Sequence, residues 1–235
     1  MVIINRSIKF HSKSDKLRLT QRRASLPESG DLATQWEQLL RQQPPESDVQ
    51  AFLEHHPVLI PGLYDLHNGP LHDVVVTKLP LGPDYKTDFA FITRNSMALQ
   101  FTFVEIEAPS KRIFNKNGEF SQEFNHARQQ VADWMLWGQR NINTLVDMFA
   151  SMFETYPVTE DQKVVRSYLV YGRREEVEVN RQYKERWQSV QVSSANRIIV
   201  MTYDRLNAVR DKNLDLIVCT YENRQFYAKP NMIDK

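Results

Sequence analysis

The sequence predicts an α/β domain: a central mixed sheet with an antiparallel meander, flanked by helices and preceded by a helical N-terminal portion. Three observations carry this. Apolar, β-branched and aromatic runs at 73–79, 86–92 and 98–107 are separated only by turn signals, the pattern of antiparallel strands. Beyond residue 121, strand and helix patterns alternate, which implies parallel crossovers after the hairpin. The 235 residues, 41% hydrophobic and 25% charged, have the composition of a well-packed globular domain. Neither an internal repeat nor a low-complexity tract interrupts them.

Composition also excludes functions. The net charge is +1, so any surface for nucleic acid must be local rather than a global field. The single cysteine, Cys219, lies in the apolar run 216–219 and reads as a small buried hydrophobe, which rules out a disulfide framework and a cysteine zinc site within one chain. No signal peptide and no apolar span of about 18 residues is present, so a soluble, cytoplasmic protein without a membrane partner is expected. A Gly-rich phosphate loop is missing, so no nucleotide cofactor is indicated, and no Gly-x-Ser-x-Gly nucleophile motif occurs.

Taken in order, residues 1–24 hold seven Lys or Arg against one acid, Asp15. They form either a basic arm that touches phosphates or a solvated terminus with a short edge strand. Pro27–Gly30 marks a boundary, giving a segment 1–30 and a folded domain 31–235. A helix is expected over Leu32–Gln43, stopped by Pro44-Pro45. Ser47 and Gln50 make a capping box for a second helix that carries Val49, Phe52 and Leu53 inward. Gln50 and Glu54 share a side of it. His55 and His56, being adjacent, diverge on a helix and read as helix-end residues rather than metal ligands.

After a loop over 61–72, Asp73–Leu79 is a strand, and the turn Pro80–Pro83 leads into the hairpin. Pro109 ends the hairpin, and Ser110–Gly118 is a basic loop. Ser121 caps a helix reaching Arg140, with His126 and Gln130 on one flank. A further helix is expected over Asn143–Tyr156. Strands at Val164–Tyr171 and Arg197–Thr202 alternate with helical segments at Arg173–Gln191 and Tyr203–Lys212. Leu214–Thr220 fits either a strand or a helix end.

The hairpin holds the chemistry. Along the second strand Phe101, Phe103, Glu105 and Glu107 share one face, and Thr102, Val104 and Ile106 the other. Both faces are largely apolar, as in a strand covered on both sides. Carboxylates at the end of such a strand are costly unless they meet solvent, a cation or a metal. Asp88 shares its face with Lys86, Ala90 and Ile92. A loop over Thr93–Gln100 sets Asp88 across from Glu105, and a tighter turn brings it nearer Phe103, diagonal to Glu105. Either register makes Asp88, Glu105 and Glu107 one cluster, a candidate site for Mg²⁺ or Mn²⁺.

The residues 49–57 (Val-Gln-Ala-Phe-Leu-Glu-His-His-Pro), 86–90 (Lys-Thr-Asp-Phe-Ala), 104–109 (Val-Glu-Ile-Glu-Ala-Pro) and 127–134 (Ala-Arg-Gln-Gln-Val-Ala-Asp-Trp) occur in an order that resembles the PD-(D/E)XK, restriction-endonuclease-like superfamily. Within it they are most similar to the nuclease domain of the Shedu anti-phage defence proteins. That resemblance implies a metal-dependent DNA endonuclease over 31–235, with a restriction-endonuclease-like core. Asp88, Glu105 and the Ile106 carbonyl would hold the metal. Gln130 would orient water or a phosphate oxygen, and Glu54 would approach as an outer ligand or base. Glu107 stands where the superfamily usually has lysine, so Lys86 and Lys111 are the candidate substitutes. Glu107 itself would favour a second metal or act as a base. Lys111, Arg112 and Lys116 would contact DNA, and assembly as a homo-oligomer would bring two sites to two strands. The alternative is a catalytically silent nuclease fold that binds nucleic acid or a protein partner.

Overall fold

The computed structural model describes residues 8–13, 16, 29–65, 69–95, 98–153, 162–193, 197–207 and 216–229. In chain order the elements are β1 (Ile8–Lys9), α1 (Ser29–Arg41), α2 (Glu46–His55), β2 (Val74–Thr77), β3 (Pro80–Leu81), β4 (Tyr85–Lys86), β5 (Phe89–Arg94) and β6 (Ala98–Ile106). They continue with α3 (Gln122–Arg140), α4 (Ile142–Met148), β7 (Gln162–Val170), α5 (Arg174–Val177), α6 (Arg181–Ser193), β8 (Ile198–Met201), β9 (Ile217–Glu222) and β10 (Gln225–Ala228).

Eight strands form one mixed sheet in the order β1-β10-β9-β2-β5-β6-β7-β8. β2, β5 and β6 are the antiparallel meander, while β7 and β8 run parallel to β6, as helical crossovers require. Two apolar layers cover the sheet. Ala90, Ile92, Phe101 and Phe103 pack toward Ala127, Val131 and Trp134 of α3. Phe89, Phe91, Val104 and Ile106 pack toward Trp36, Val49 and Leu53 of α1 and α2. The face assignment read from alternation is therefore the observed one, and β6 is buried on both sides.

Several local expectations change. α2 begins at Glu46 behind Pro45, and Ser47 makes no capping bond to the backbone. The fixed φ of −65° at Pro45 starts the helix two residues early, with Glu46 and Asp48 against its positive end. The run 86–92 is broken. Lys86 pairs with Pro80 in a separate ribbon, and Asp88 lies in a bend before β5. The helix expected from Asn143 ends at Met148 and passes into a short turn of 3₁₀ helix, while residues 154–156 lie outside the described residues. Only a 3₁₀ turn, Tyr203–Asn207, stands where a helix from Tyr203 was expected, the remainder lying outside the described residues. Residues 217–222 are a strand, hairpinned to β10 through Asn223 and Arg224, both at positive φ. β10 in turn pairs with β1, so part of the N-terminal segment is an edge strand. Ser121, in contrast, caps α3 as expected, its hydroxyl accepting the Phe124 N–H at 3.0 Å.

Candidate active site

The site sits where β5 begins and β6 ends. Phe89 pairs with Val104 and Ala90 with Phe103, and carrying that register back one residue sets Asp88 opposite Glu105. The turn is tighter than a Thr93–Gln100 loop, with the Asn95 N–H bonded to the Ala98 carbonyl at 3.0 Å. It does not shift the pairing toward Phe103. The strands instead extend to an Arg94–Leu99 pair in the same register.

Asp88 is held from three sides. Its Oδ2 accepts the Ile106 N–H at 2.8 Å, its Oδ1 accepts from the Lys78 ammonium, and its carbonyl accepts the Lys78 N–H at 3.0 Å. Glu105 accepts from Gln130 Nε2 at 2.8 Å, which places α3 over the pair. Burial, followed by the charge of the facing Asp88, pushes the Glu105 carboxyl far above the usual carboxylate range. Glu107 and Glu46 add further negative charge in the same direction.

Glu107 is buried and salt-bridged to Lys111, and its carbonyl accepts the Tyr203 hydroxyl. Lys111 therefore neutralises Glu107 rather than Asp88. Lys86 is exposed on the ribbon and lines a cleft of about 340 Å³ with His126 and Gln130. The ammonium on Asp88 belongs to Lys78, which the motif comparison missed. It directly follows the Val74–Thr77 strand, at positive φ, a conformation the sequence does not signal for lysine. Glu46, also missed, lies in the first turn of α2. Burial and then the charges of Asp88 and Glu107 raise its pKa.

Glu54 is not brought into this pair. It lies against the other face of the sheet, where it accepts from Thr77 Oγ1 at 2.6 Å, Gln50 Nε2 at 3.0 Å and the Lys229 ammonium. Burial raises its pKa, but the bonds from Lys229, Thr77 and Gln50 outweigh that and leave it lowered. Its link to the carboxylate pair is indirect, through Thr77, whose hydroxyl also reaches the Asp88 carbonyl at 3.3 Å.

Lys111 and Arg112 line a cleft of about 730 Å³ together with Arg41 and Arg173. Acidic Glu37, Glu175 and Glu176 share its walls, and Arg112 lies 3.5 Å from Glu176. Lys116 is exposed on the neighbouring turn and is not part of that lining. Gln129, the neighbour of Gln130, bonds Asp133 on the exposed flank of α3 at 2.8 Å, so only Gln130 faces Glu105.

Among the described residues, no group of three or more His, Cys, Asp or Glu side chains is arranged to hold a metal ion. The donor set is smaller: two facing carboxylates and the backbone at Ile106. All-oxygen donors of that number suit Mg²⁺ or Mn²⁺, which keep water and substrate oxygens, and do not suit zinc.

A family model described as Shedu protein SduA, C-terminal, matches residues 43–207. The chain belongs to this family. The Shedu match includes α2, the meander, α3, β7 and β8, and with them Glu46, Lys78, Asp88, Glu105, Glu107 and Gln130. It leaves out α1, β9, β10 and Lys229. No curated protein sequence matches the chain. No helix among the described residues is long and apolar enough to cross a membrane.

Proposed function

We propose that this Shedu protein is a metal-dependent endonuclease that hydrolyses phosphodiester bonds of DNA in anti-phage defence, on a restriction-endonuclease-like core. Membership of the Shedu family supports the defence role. The observation that carries the chemistry is the buried Asp88–Glu105 pair, two carboxyl groups set opposite each other where β5 begins and β6 ends, with burial and the Asp88 charge pushing the Glu105 pKa up. Natural cores seldom keep such a pair without a use, because like charges in low dielectric destabilise the fold.

Asp88, Glu105 and the Ile106 carbonyl would hold Mg²⁺ or Mn²⁺. When bound, the ion supplies Lewis-acid polarisation of the phosphate and lowers the pKa of a bound water. The rest is done by the chain. The Ile106 N–H fixes the angle of Asp88, and Gln130 fixes that of Glu105. Lys111 keeps Glu107, at the position where lysine is usual, from adding an uncompensated charge. Arg112 offers a cation to the DNA backbone along the larger cleft, with Lys116 just beyond it, while Lys111 in the same lining stays paired with Glu107.

The test is nicking and cutting of supercoiled and linear DNA with Mg²⁺ or Mn²⁺, beside Asp88→Ala and Glu105→Ala. Metal-dependent cleavage that disappears in both variants is the expected result. DNA binding without cleavage by the wild type would instead indicate a silent nuclease fold that serves as a binding module.

A further inference from the structure

Lys78 is the one cation in direct contact with Asp88 among the described ion pairs, and three features set it apart from a surface lysine. Its backbone adopts φ 52°, the left-handed region that a long side chain seldom occupies. That conformation is tied to Asp88 by the Lys78 N–H bond to the Asp88 carbonyl at 3.0 Å. Its side chain is also divided between two environments, 42% exposed where Asp88 is only 6% exposed. The side chain is thus partly open to solvent while its ammonium rests on the buried carboxylate. Strained backbone that survives because its surroundings hold it is typical of working positions.

We infer that Lys78 is a positioning residue that holds Asp88 in the free protein, competes with the metal for that carboxylate, and turns to a phosphate oxygen of the nucleic acid once the metal has taken Asp88. The last step rests on the nuclease reading above, whereas the competition does not. Charge balance gives the reason for the exchange. Asp88 cannot be buried beside Glu105 without a cation, and a divalent ion makes the ammonium redundant there. Lys78 is then close to where a phosphate must lie to reach the same ion, and its flexible stem allows the move. Lys111 is occupied by Glu107 and Lys86 lies on the ribbon, so neither is placed for this exchange.

The experiment compares wild type, Lys78→Asn and Lys78→Arg, with folding checked by thermal unfolding. Asparagine tolerates positive φ, so Lys78→Asn removes the ammonium while keeping the backbone. Calorimetric titration with Mn²⁺ alone should show tighter binding in Lys78→Asn, by roughly fivefold, because a competing ion pair is gone. Cleavage should move the opposite way, falling about 100-fold or more in Lys78→Asn and recovering in part in Lys78→Arg. A merely structural lysine would weaken both together. Unchanged or weaker Mn²⁺ binding in Lys78→Asn overturns the inference, and so does wild-type cleavage by that variant. If the wild type cuts no DNA at all, the nuclease reading fails, and the Mn²⁺ titration alone decides the competition at Asp88: tighter binding upholds it and equal binding refutes it.

Discussion

Glu54 and Glu105 are two buried acids on opposite faces of one sheet, and they are treated in opposite ways. Glu54 has cationic and neutral donors on both oxygens, from Lys229, Thr77 and Gln50, and its pKa is lowered despite burial. Glu105 has one amide donor, Gln130, and burial together with the charges of Asp88, Glu107 and Glu46 raises its pKa. A satisfied carboxylate stabilises the fold it sits in. On the proposed nuclease reading, a frustrated one would keep a place for a cation that is not part of the chain. Burial alone does not tell these apart, since the two are equally buried, at 7% exposure each. The partners do.

The largest expected effect that separates the two acids is on cleavage. Asp88→Ala and Glu105→Ala should each lower metal-dependent DNA cleavage by about 10³-fold or more, as loss of a group acting on the reacting centre does. Glu54→Gln should cost less than roughly tenfold, because Glu54 reaches the pair indirectly, through Thr77 and the Asp88 carbonyl. Plasmid cleavage time courses measure all three. Equal losses in Glu54→Gln and Glu105→Ala would erase the distinction between the two faces.

Stability should separate them with opposite sign. Glu105→Gln, in the absence of divalent metal at pH 7.5, should raise stability by about 1–3 kcal/mol, since the protein no longer takes up a costly proton on folding. At this chain length that is roughly 2–4 °C in Tm per kcal/mol. Glu54→Gln should lower stability by about 1–2 kcal/mol, leaving the Lys229 ammonium without its carboxylate. Thermal melts of the three proteins check both signs.

The pH dependence sharpens the same contrast. The folded pKa of Glu105 is raised, so the native state binds the extra proton and stability falls as pH rises above the ordinary value of 4.5. The Glu105→Gln gain should therefore be near zero at pH 4 and grow toward pH 8. For Glu54 the folded pKa is lowered, so its contribution is full above the ordinary value of 4.5 and is lost as pH falls through the folded pKa. The Glu54→Gln deficit should fade in acid, just where the Glu105→Gln gain is also absent. The smallest expected effect is that of Lys86→Ala, which should change cleavage by no more than about threefold, as expected of an exposed charge beside the site rather than in it.

Much of this site is legible in the chain itself. Alternation along 98–107 places Glu105 on the face of Phe101 and Phe103, and the hairpin pattern brings Asp88 to it, because period-two strands leave few registers that bury both faces. Gln130 is legible through the helix that Ser121 caps. Lys78 is not, because its role depends on a left-handed turn that no local propensity favours for lysine. Nor is the setting of Glu54. Its partner Lys229 lies 175 residues away, beyond a hairpin whose turn residues, Asn223 and Arg224, carry no glycine to announce it. Partners supplied by distant strands are tertiary facts, and motif order alone assigns Glu54 to the wrong neighbourhood.

The most direct measurement of the central claim is thermal unfolding of wild type, Glu105→Gln and Glu54→Gln with and without Mn²⁺. A ligand that binds only the folded state raises Tm in proportion to its occupancy. If the frustrated pair is the cation site, Mn²⁺ should stabilise wild type and Glu54→Gln alike and leave Glu105→Gln nearly unmoved. Equal Mn²⁺ shifts in wild type and Glu105→Gln, or a shift lost only in Glu54→Gln, would contradict it.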